Sequence, residues 1–213
     1  MMRTDAADER RSVIIAAAVR VLAREGITET TTRKIATEAD VNQAMISYYF
    51  GGKDGLLYEV LQDMMRRTEE IARVSLPSGG GFEESLAVAV EAFWSHVEQT
   101  PELQVMQYEL TLYALRHPDS AWLAQRQYEG YCAIVAGLIS HVSDTCGQPL
   151  AETPDALARF IVGGLDGLIL QYISDRDIDR ARSDLGRLIA AALALAHGGR
   201  VRSAVERQAT GQL

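Results

Sequence analysis

Apolar residues recur at intervals of three and four along almost the whole chain, and no stretch alternates with a period of two. Val13, Ile14, Ala17, Ala18, Val21 and Leu22 form one such run, and Leu57, Val60, Leu61, Met64, Met65 and Ile71 another. Leu185, Leu188, Ile189, Ala192, Leu193 and Ala196 form a third. This spacing gathers side chains on one face of a helix, whereas strands need alternation. The expectation is an all-α fold of about nine helices.

Local signals place the breaks. Gly26 stops the first helix, as a residue that accepts left-handed backbone. Thr31 caps a short helix over about residues 32–39, Asp40 turns the chain, and Asn42 caps a third helix over about 43–49. Gly51-Gly52 ends it, and Asp54 caps or opens a long fourth helix. Residues 75–81, SLPSGGG, form the clearest loop. Further helices are expected over about 82–99, 102–116, 119–145, 155–174 and 180–197, punctuated by Pro101, Pro118, Pro149 and Pro154. The polar tail after Gly198-Gly199 is expected to fray.

Composition narrows the class. With 47% hydrophobic and 23% charged residues, the 213-residue chain can bury a core. The start, MMRTDAADERR, carries three acids before any apolar run, unlike a signal peptide. The stretch from Phe160 to Ser174 holds Asp166 and is short for a bilayer span, which needs roughly 20 residues. No membrane partner is expected. Cys132 and Cys146 form no CxxC pair and have no histidine at ligand spacing, so they are expected to be reduced thiols in a cytoplasmic protein. No metal and no cofactor are expected.

Net charge is −8, but it is unevenly spread. Residues 1–53 hold eight Lys/Arg against seven Asp/Glu, and residues 54–213 hold thirteen against twenty-two. Both lysines, Lys34 and Lys53, lie in the first segment. A near-neutral head on an acidic body suits a chain whose head alone meets a polyanion.

The second and third helices make a corner. Ile35, Ala39, Val41, Ile46 and Tyr49 can form its inner side, with Ala36 as the small residue at the crossing. Gln43, Ala44, Ser47 and Tyr48 then face outward. This is the spacing of a helix-turn-helix, whose second helix enters the major groove. Gln can pair bidentately with adenine, Ser can bond either way, and Ala or Met can meet a thymine methyl. The expected DNA-binding set is Thr31, Thr32, Arg33, Asn42, Gln43, Ala44, Met45, Ser47, Tyr48, Tyr49 and Lys53. Thr31, Thr32, Tyr48 and Lys53 are expected on phosphates, which positions the helix without reading sequence.

The stretch ITETTTRKIATEADVNQAMISYYFGGKDGLL resembles the N-terminal domain of TetR-family transcriptional regulators. The resemblance covers about residues 10–60. It rests on a first helix ending in Gly26, then Thr31, Ile35-Ala36, Ala39, Val41, Tyr49-Phe50, Lys53 and Leu56-Leu57. Two positions depart from the pattern: Asp40 stands where Gly is usual, and Ser47 where Tyr is most common. The second departure moves the expected base contact to Gln43 and Tyr48. The resemblance implies a DNA-binding domain over residues 1–53 and a ligand-binding and dimerisation domain over 54–213. It also implies a homodimer on a double-stranded DNA operator, a small-molecule effector, and a partner interface made by the last two long helices.

The residues of those helices agree with such an interface. Phe160, Gly163, Gly164, Gly167, Leu168 and Gln171 form a stripe, and Ile189 and Leu193 extend it onto the final helix. Glycines inside a helix cost roughly 1 kcal/mol each relative to alanine, so close approach by a neighbour is expected. Residues 93–131 concentrate aromatic and polar groups that suit an effector cavity. The candidates there are Trp94, Gln107, Tyr108, Tyr113, Tyr128 and Tyr131. No Gly-x-Ser-x-Gly, His-Glu-x-x-His or phosphate loop occurs, so no catalytic residue is assigned. The alternative reading is an all-helical small-molecule binding protein or enzyme whose N-terminal corner is structural.

Overall fold

The computed structural model describes residues 2–199, with side chains from residue 7 onward. Among these residues there are nine α-helices and no strand: α1 (Met2–Glu29), α2 (Thr32–Glu38), α3 (Ala44–Phe50), α4 (Lys53–Ser75), α5 (Phe82–Gln99), α6 (Pro101–Arg116), α7 (Ala121–Cys146), α8 (Pro154–Asp175) and α9 (Ile178–Ala196). A single 3-10 turn at Pro118–Ser120 precedes α7. The polar tail expected to fray lies outside the described residues.

The chain forms two compact units. One joins the residues up to Val74 with Ala92–Tyr131; the other joins Ser75–Glu91 with the chain from Cys132 onward. The first unit does not break between residues 53 and 54. Ile14, Ala17, Ala18, Val21 and Leu22 of α1, Ile35 and Ala36 of α2, and Ile46 and Phe50 of α3 are buried, as are Leu56, Leu57 and Val60 of α4. Arg11 ties three of these helices together. Its guanidinium donates to the Tyr49 carbonyl (2.8 Å) and the Glu59 carboxylate (2.8 Å), and lies 5.0 Å from the Phe50 ring centre.

The expected breaks fall where the local chemistry demands them. Gly26 interrupts α1 at φ 75°, and the last turn of that helix continues beyond it. Thr31 accepts from the Lys34 amide as the cap of α2. Asp40 takes a left-handed φ of 52°, and Asn42 accepts from the Ala44 amide (2.8 Å) to open α3. Gly51 closes α3 at φ 72°. Asp54 stands in the first turn of the fourth helix, which it is expected to cap or open, and its side chain bonds to another element. Helix α4 begins at Lys53, and the Asp54 carboxylate accepts the Ser120 hydroxyl (2.7 Å).

In the second unit α8 packs along α9, burying Leu157, Ala158, Ile161, Leu165 and Ile169 with Ala181, Leu185, Ile189, Ala192 and Ala196. Helix α8 starts at Pro154 and so has 22 residues. It is, among the described residues, the one helix long and apolar enough by length and composition to cross a bilayer. The sequence expectation of a stretch too short to span is corrected on length. The apolar character belongs partly to the contact with α9 and partly to an exposed face bearing Phe160 and Leu170.

Candidate nucleic-acid interface and effector site

Helix α3 presents its outward residues as the periodicity requires. Gln43, Ala44, Ser47 and Tyr48 are exposed, while Ile46 and Phe50 point into the core. Tyr48 is 81% exposed although its ring meets that of Tyr49 edge-on at 5.0 Å. A large aromatic with a hydroxyl, left in water beside glutamine and serine, can bond a phosphate and stack on a sugar. Met45 and Tyr49 are half-buried, and Asn42 is exposed but engaged at the helix start. At the N-terminus of α2, Thr31 and Arg33 are exposed and Thr32 half-buried. Gln43 donates to the Thr32 hydroxyl (2.9 Å), which ties the two helices across the corner.

Lys53 is placed differently from expectation. Its ammonium donates to the carbonyls of Thr30 (3.0 Å) and Ile27 (3.3 Å) and sits 5.4 Å from the centre of the Tyr113 ring. Burial lowers its pKa, against the opposing charge of Asp54. Lys53, half-buried, therefore ties the start of α4 to the end of α1. The signal was ambiguous in sequence, because a lysine after two glycines suits either task.

Glu109 completes the same clamp from α6. Its carboxylate accepts the Ile27 amide (3.0 Å) and lies against Gly26, where a Cβ would stand 2.9 Å from the carboxylate oxygen. Tyr113, an expected effector contact, stacks against His117 at 4.2 Å and against Lys53, so it belongs to this clamp. Gly55 is equally specific. A Cβ there would fall inside contact distance of the Phe50 carbonyl oxygen. The start of α4 and the end of α3 touch backbone to backbone, which no sequence period reveals.

Behind the clamp, α6 and α7 share a buried polar seam. Gln104, Gln107 and Thr111 lie on one face of α6, at spacings of three and four, and Gln127 and Tyr131 on one face of α7. The Tyr131 hydroxyl donates to the Gln107 amide oxygen (2.9 Å), and Thr111 lies 2.9 Å from that of Gln127. Of the expected effector residues, Trp94, Gln107 and Tyr131 are buried in this unit, Tyr108 is half-buried and Tyr128 exposed. Gln104, Thr111 and Gln127 share the seam and lie outside the expected set. Their signal was the polar residue at helical spacing within an otherwise apolar stripe. In the last turn of α5, burial holds the His96 pKa below its usual value, helped by Arg67 and opposed by Glu102.

The second unit carries an open cleft of about 460 Å³, lined by the 76–81 loop with Ser85, His141 and Cys146. None of the expected effector residues lines it. Among the described residues, no three His, Cys, Asp or Glu side chains converge as metal ligands would. On α8, Gly163 and Gly167 face open space, whereas a Cβ at Gly164 would strike the Leu188 side chain of α9. The expected stripe therefore divides. Gly164 and Ile189 belong to the α8–α9 contact within the chain, Phe160, Gly163 and Gln171 remain on the exposed face, and Gly167, Leu168 and Leu193 are half-buried.

These features have counterparts among known proteins. The model for bacterial regulatory proteins of the tetR family matches residues 14–60, and that for the tetracyclin repressor-like C-terminal domain matches residues 82–195. The chain belongs to the TetR family of bacterial regulatory proteins. It is a ligand-responsive, DNA-binding transcriptional regulator, and regulators of this kind are not enzymes. They bind DNA operators and small-molecule effectors, typically as dimers. It is similar to the nicotine-responsive transcriptional repressor HdnoR of Paenarthrobacter nicotinovorans, 28% identical over 193 residues, covering 87% of this chain and 94% of the relative. It is also similar to the transcriptional regulator BetI of Brucella suis, 27% identical over 173 residues, covering 70% of this chain and 86% of the relative. Its fold resembles that of FadR from Bacillus subtilis, solved with stearoyl-CoA, at a TM-score of 0.65 and 23% identity. That likeness covers 84% of this chain and 97% of the other.

Proposed function

We propose that this TetR-family regulator is a cytoplasmic homodimeric repressor that holds a palindromic double-stranded operator and is released from it by a small molecule. The observation that carries the reading is the exposed set Gln43, Ala44, Ser47 and Tyr48 on α3, standing on a buried base of Ile46 and Phe50. Gln43 reads a base edge with Tyr48 beside it, Ala44 and Met45 meet a thymine methyl, and Thr31, Thr32, Arg33 and the Tyr48 hydroxyl hold phosphates. Lys53 acts at one remove, by positioning α4 against α1.

Two copies bring two recognition helices to half-sites one helical turn apart, ~34–36 Å. The exposed glycine face of α8, with Leu168 and Gln171 beside it and Leu193 on α9, is the surface proposed to pair. It has open space above Gly163 and Gly167 for a partner helix. The effector is proposed to enter the α6–α7 seam. Release then follows from a population shift, because the ligand stabilises an arrangement whose recognition helices no longer match the half-sites. The similarity to a nicotine-responsive repressor over most of both chains supports the sign of regulation.

The test is selection of binding sites from randomised duplex DNA with the full chain at moderate salt. A palindromic consensus is the expected result. A protein shown folded that enriches no sequence, before and after refolding to remove bound ligand, refutes it. Gln43→Ala should alter preference at one base pair by ~1–3 kcal/mol, and Tyr48→Phe should weaken all sites alike.

A further inference from the structure

The α6–α7 seam is built of neutral groups only. Among the described residues, every buried polar side chain is a Gln, Ser or Thr apart from the tyrosines and Trp94, and no Asp, Glu, Lys or Arg is buried. Two of these side chains are incompletely satisfied. The Gln127 amide nitrogen and the Gln104 amide oxygen are buried and have no hydrogen-bond partner within the chain. Gln127 is 1% exposed and Gln104 3%. Buried polar groups are nearly always paired, so two unmet ends along one seam are an unusual feature.

The vacancy at Gln127 does not depend on how its amide is turned. The Thr111 hydroxyl lies 3.0 Å from the Gln107 main-chain oxygen and 2.9 Å from the Gln127 side chain, and it has one proton to give. If that proton goes to Gln127, the Gln127 nitrogen is left over. If it goes to the main chain, Gln127 turns its NH₂ to the hydroxyl and its oxygen is left over. One end of the amide stays unmet in either case. A partner that can both donate and accept satisfies both arrangements.

The seam also has room to be made. Gly130 lies one turn beyond Gln127 on α7, and a Cβ there would collide with the thioether of Met65 from α4. Met65 is buried at that point and unbranched, so it can swing aside at low cost. Space made in this way lies beside Gln127 and Tyr131, the neighbours of Gly130 on α7.

We infer that the effector of this regulator is a compact, uncharged molecule carrying an amide-like donor–acceptor pair on an apolar or aromatic body, held by Gln127. This rests on the reading of the seam as the effector site. A carboxylate, a phosphate or an ammonium entering there would lose its water and meet no counter-charge, which disfavours it strongly.

The test uses three probes of matched shape with the full-length protein: benzamide, benzoate and benzylammonium. Binding is read by ligand-observed NMR and calorimetry at millimolar concentration. Benzamide is expected to bind at least about tenfold tighter than either charged probe. Gln127→Leu, which removes an unmet polar group and so should fold, is expected to lower benzamide affinity at least about tenfold. Gln104→Met, about two turns from Thr111 along α6, is the control and should leave benzamide affinity unchanged. Benzoate or benzylammonium binding as tightly as benzamide, with that binding lost in Gln127→Leu, overturns the chemical class but keeps the site. Benzamide binding that is unchanged in Gln127→Leu, or lost in Gln104→Met alone, overturns the site itself. Failure of all three probes to bind overturns the inference.

Discussion

Gly55→Ala sets two opposed effects against each other at one position. Gly55 lies in the first turns of α4, where alanine is favoured over glycine by about 1 kcal/mol. Helix propensity alone therefore makes the substitution stabilising. The tertiary structure says the reverse, because the new Cβ would overlap the Phe50 carbonyl oxygen at the end of α3. That oxygen is backbone and cannot rotate away, so α3 must move relative to α4. Overpacking of this kind costs ~1–3 kcal/mol, and a rigid backbone neighbour places it at the upper end. The net expectation is a loss of ~2 kcal/mol, or a fall in Tm of ~4–8 °C for a chain of this size. Gly137→Ala on α7 is the internal control, since nothing lies within 4 Å of its Cβ position; it should gain up to ~1 kcal/mol. Chemical denaturation and calorimetry of both variants measure the difference. Operator affinity should fall in Gly55→Ala, because α3 carries the exposed reading residues. A Gly55→Ala protein as stable as Gly137→Ala, with unchanged operator binding, would refute the backbone contact between α3 and α4.

Glu109→Ala should destabilise the first unit by ~1.5–3 kcal/mol, since it removes a charge-assisted bond to the buried Ile27 amide; Glu109→Gln should recover part of that, and equal stability of all three by urea denaturation would contradict the clamp. His96 has a lowered pKa in the folded chain, so the unfolded chain binds its proton first. Its contribution is full above the unfolded value of about 6.5 and is lost as pH falls through that range. His96→Gln should therefore flatten the decline of stability between about pH 7 and 5.5, as followed by denaturation midpoints. Gly163→Leu adds a bulky side chain where the chain itself leaves open space. It should leave the subunit folded and shift light-scattering mass toward the monomer, and an unchanged dimer mass would remove this face from the interface.

Much of this protein follows from local rules that a sequence carries on its face. The period of 3.6 in α1, α4 and α9 announces helices whatever surrounds them. Thr31, Asp40, Asn42 and Gly51 act through their own backbone or the next few residues, so their roles are local and could be read directly. The outward set on α3 followed too, because Ile46 and Phe50 settle which side of a short helix is buried. Tertiary structure alone decided the rest, because it depends on which atoms meet across long stretches of chain. Lys53 could have pointed at a phosphate, and it turned inward because the carbonyls of Ile27 and Thr30 lie within reach. Asp54 met Ser120, 66 residues away, instead of capping its own helix. Gly164 and Gly163 are neighbours in the same glycine-rich run, yet only the first lies under Leu188. The polar seam is the clearest case. A glutamine every three or four residues reads as a wetted helix face, and only the packing of α7 over α6 buries it and leaves two amide ends unmet.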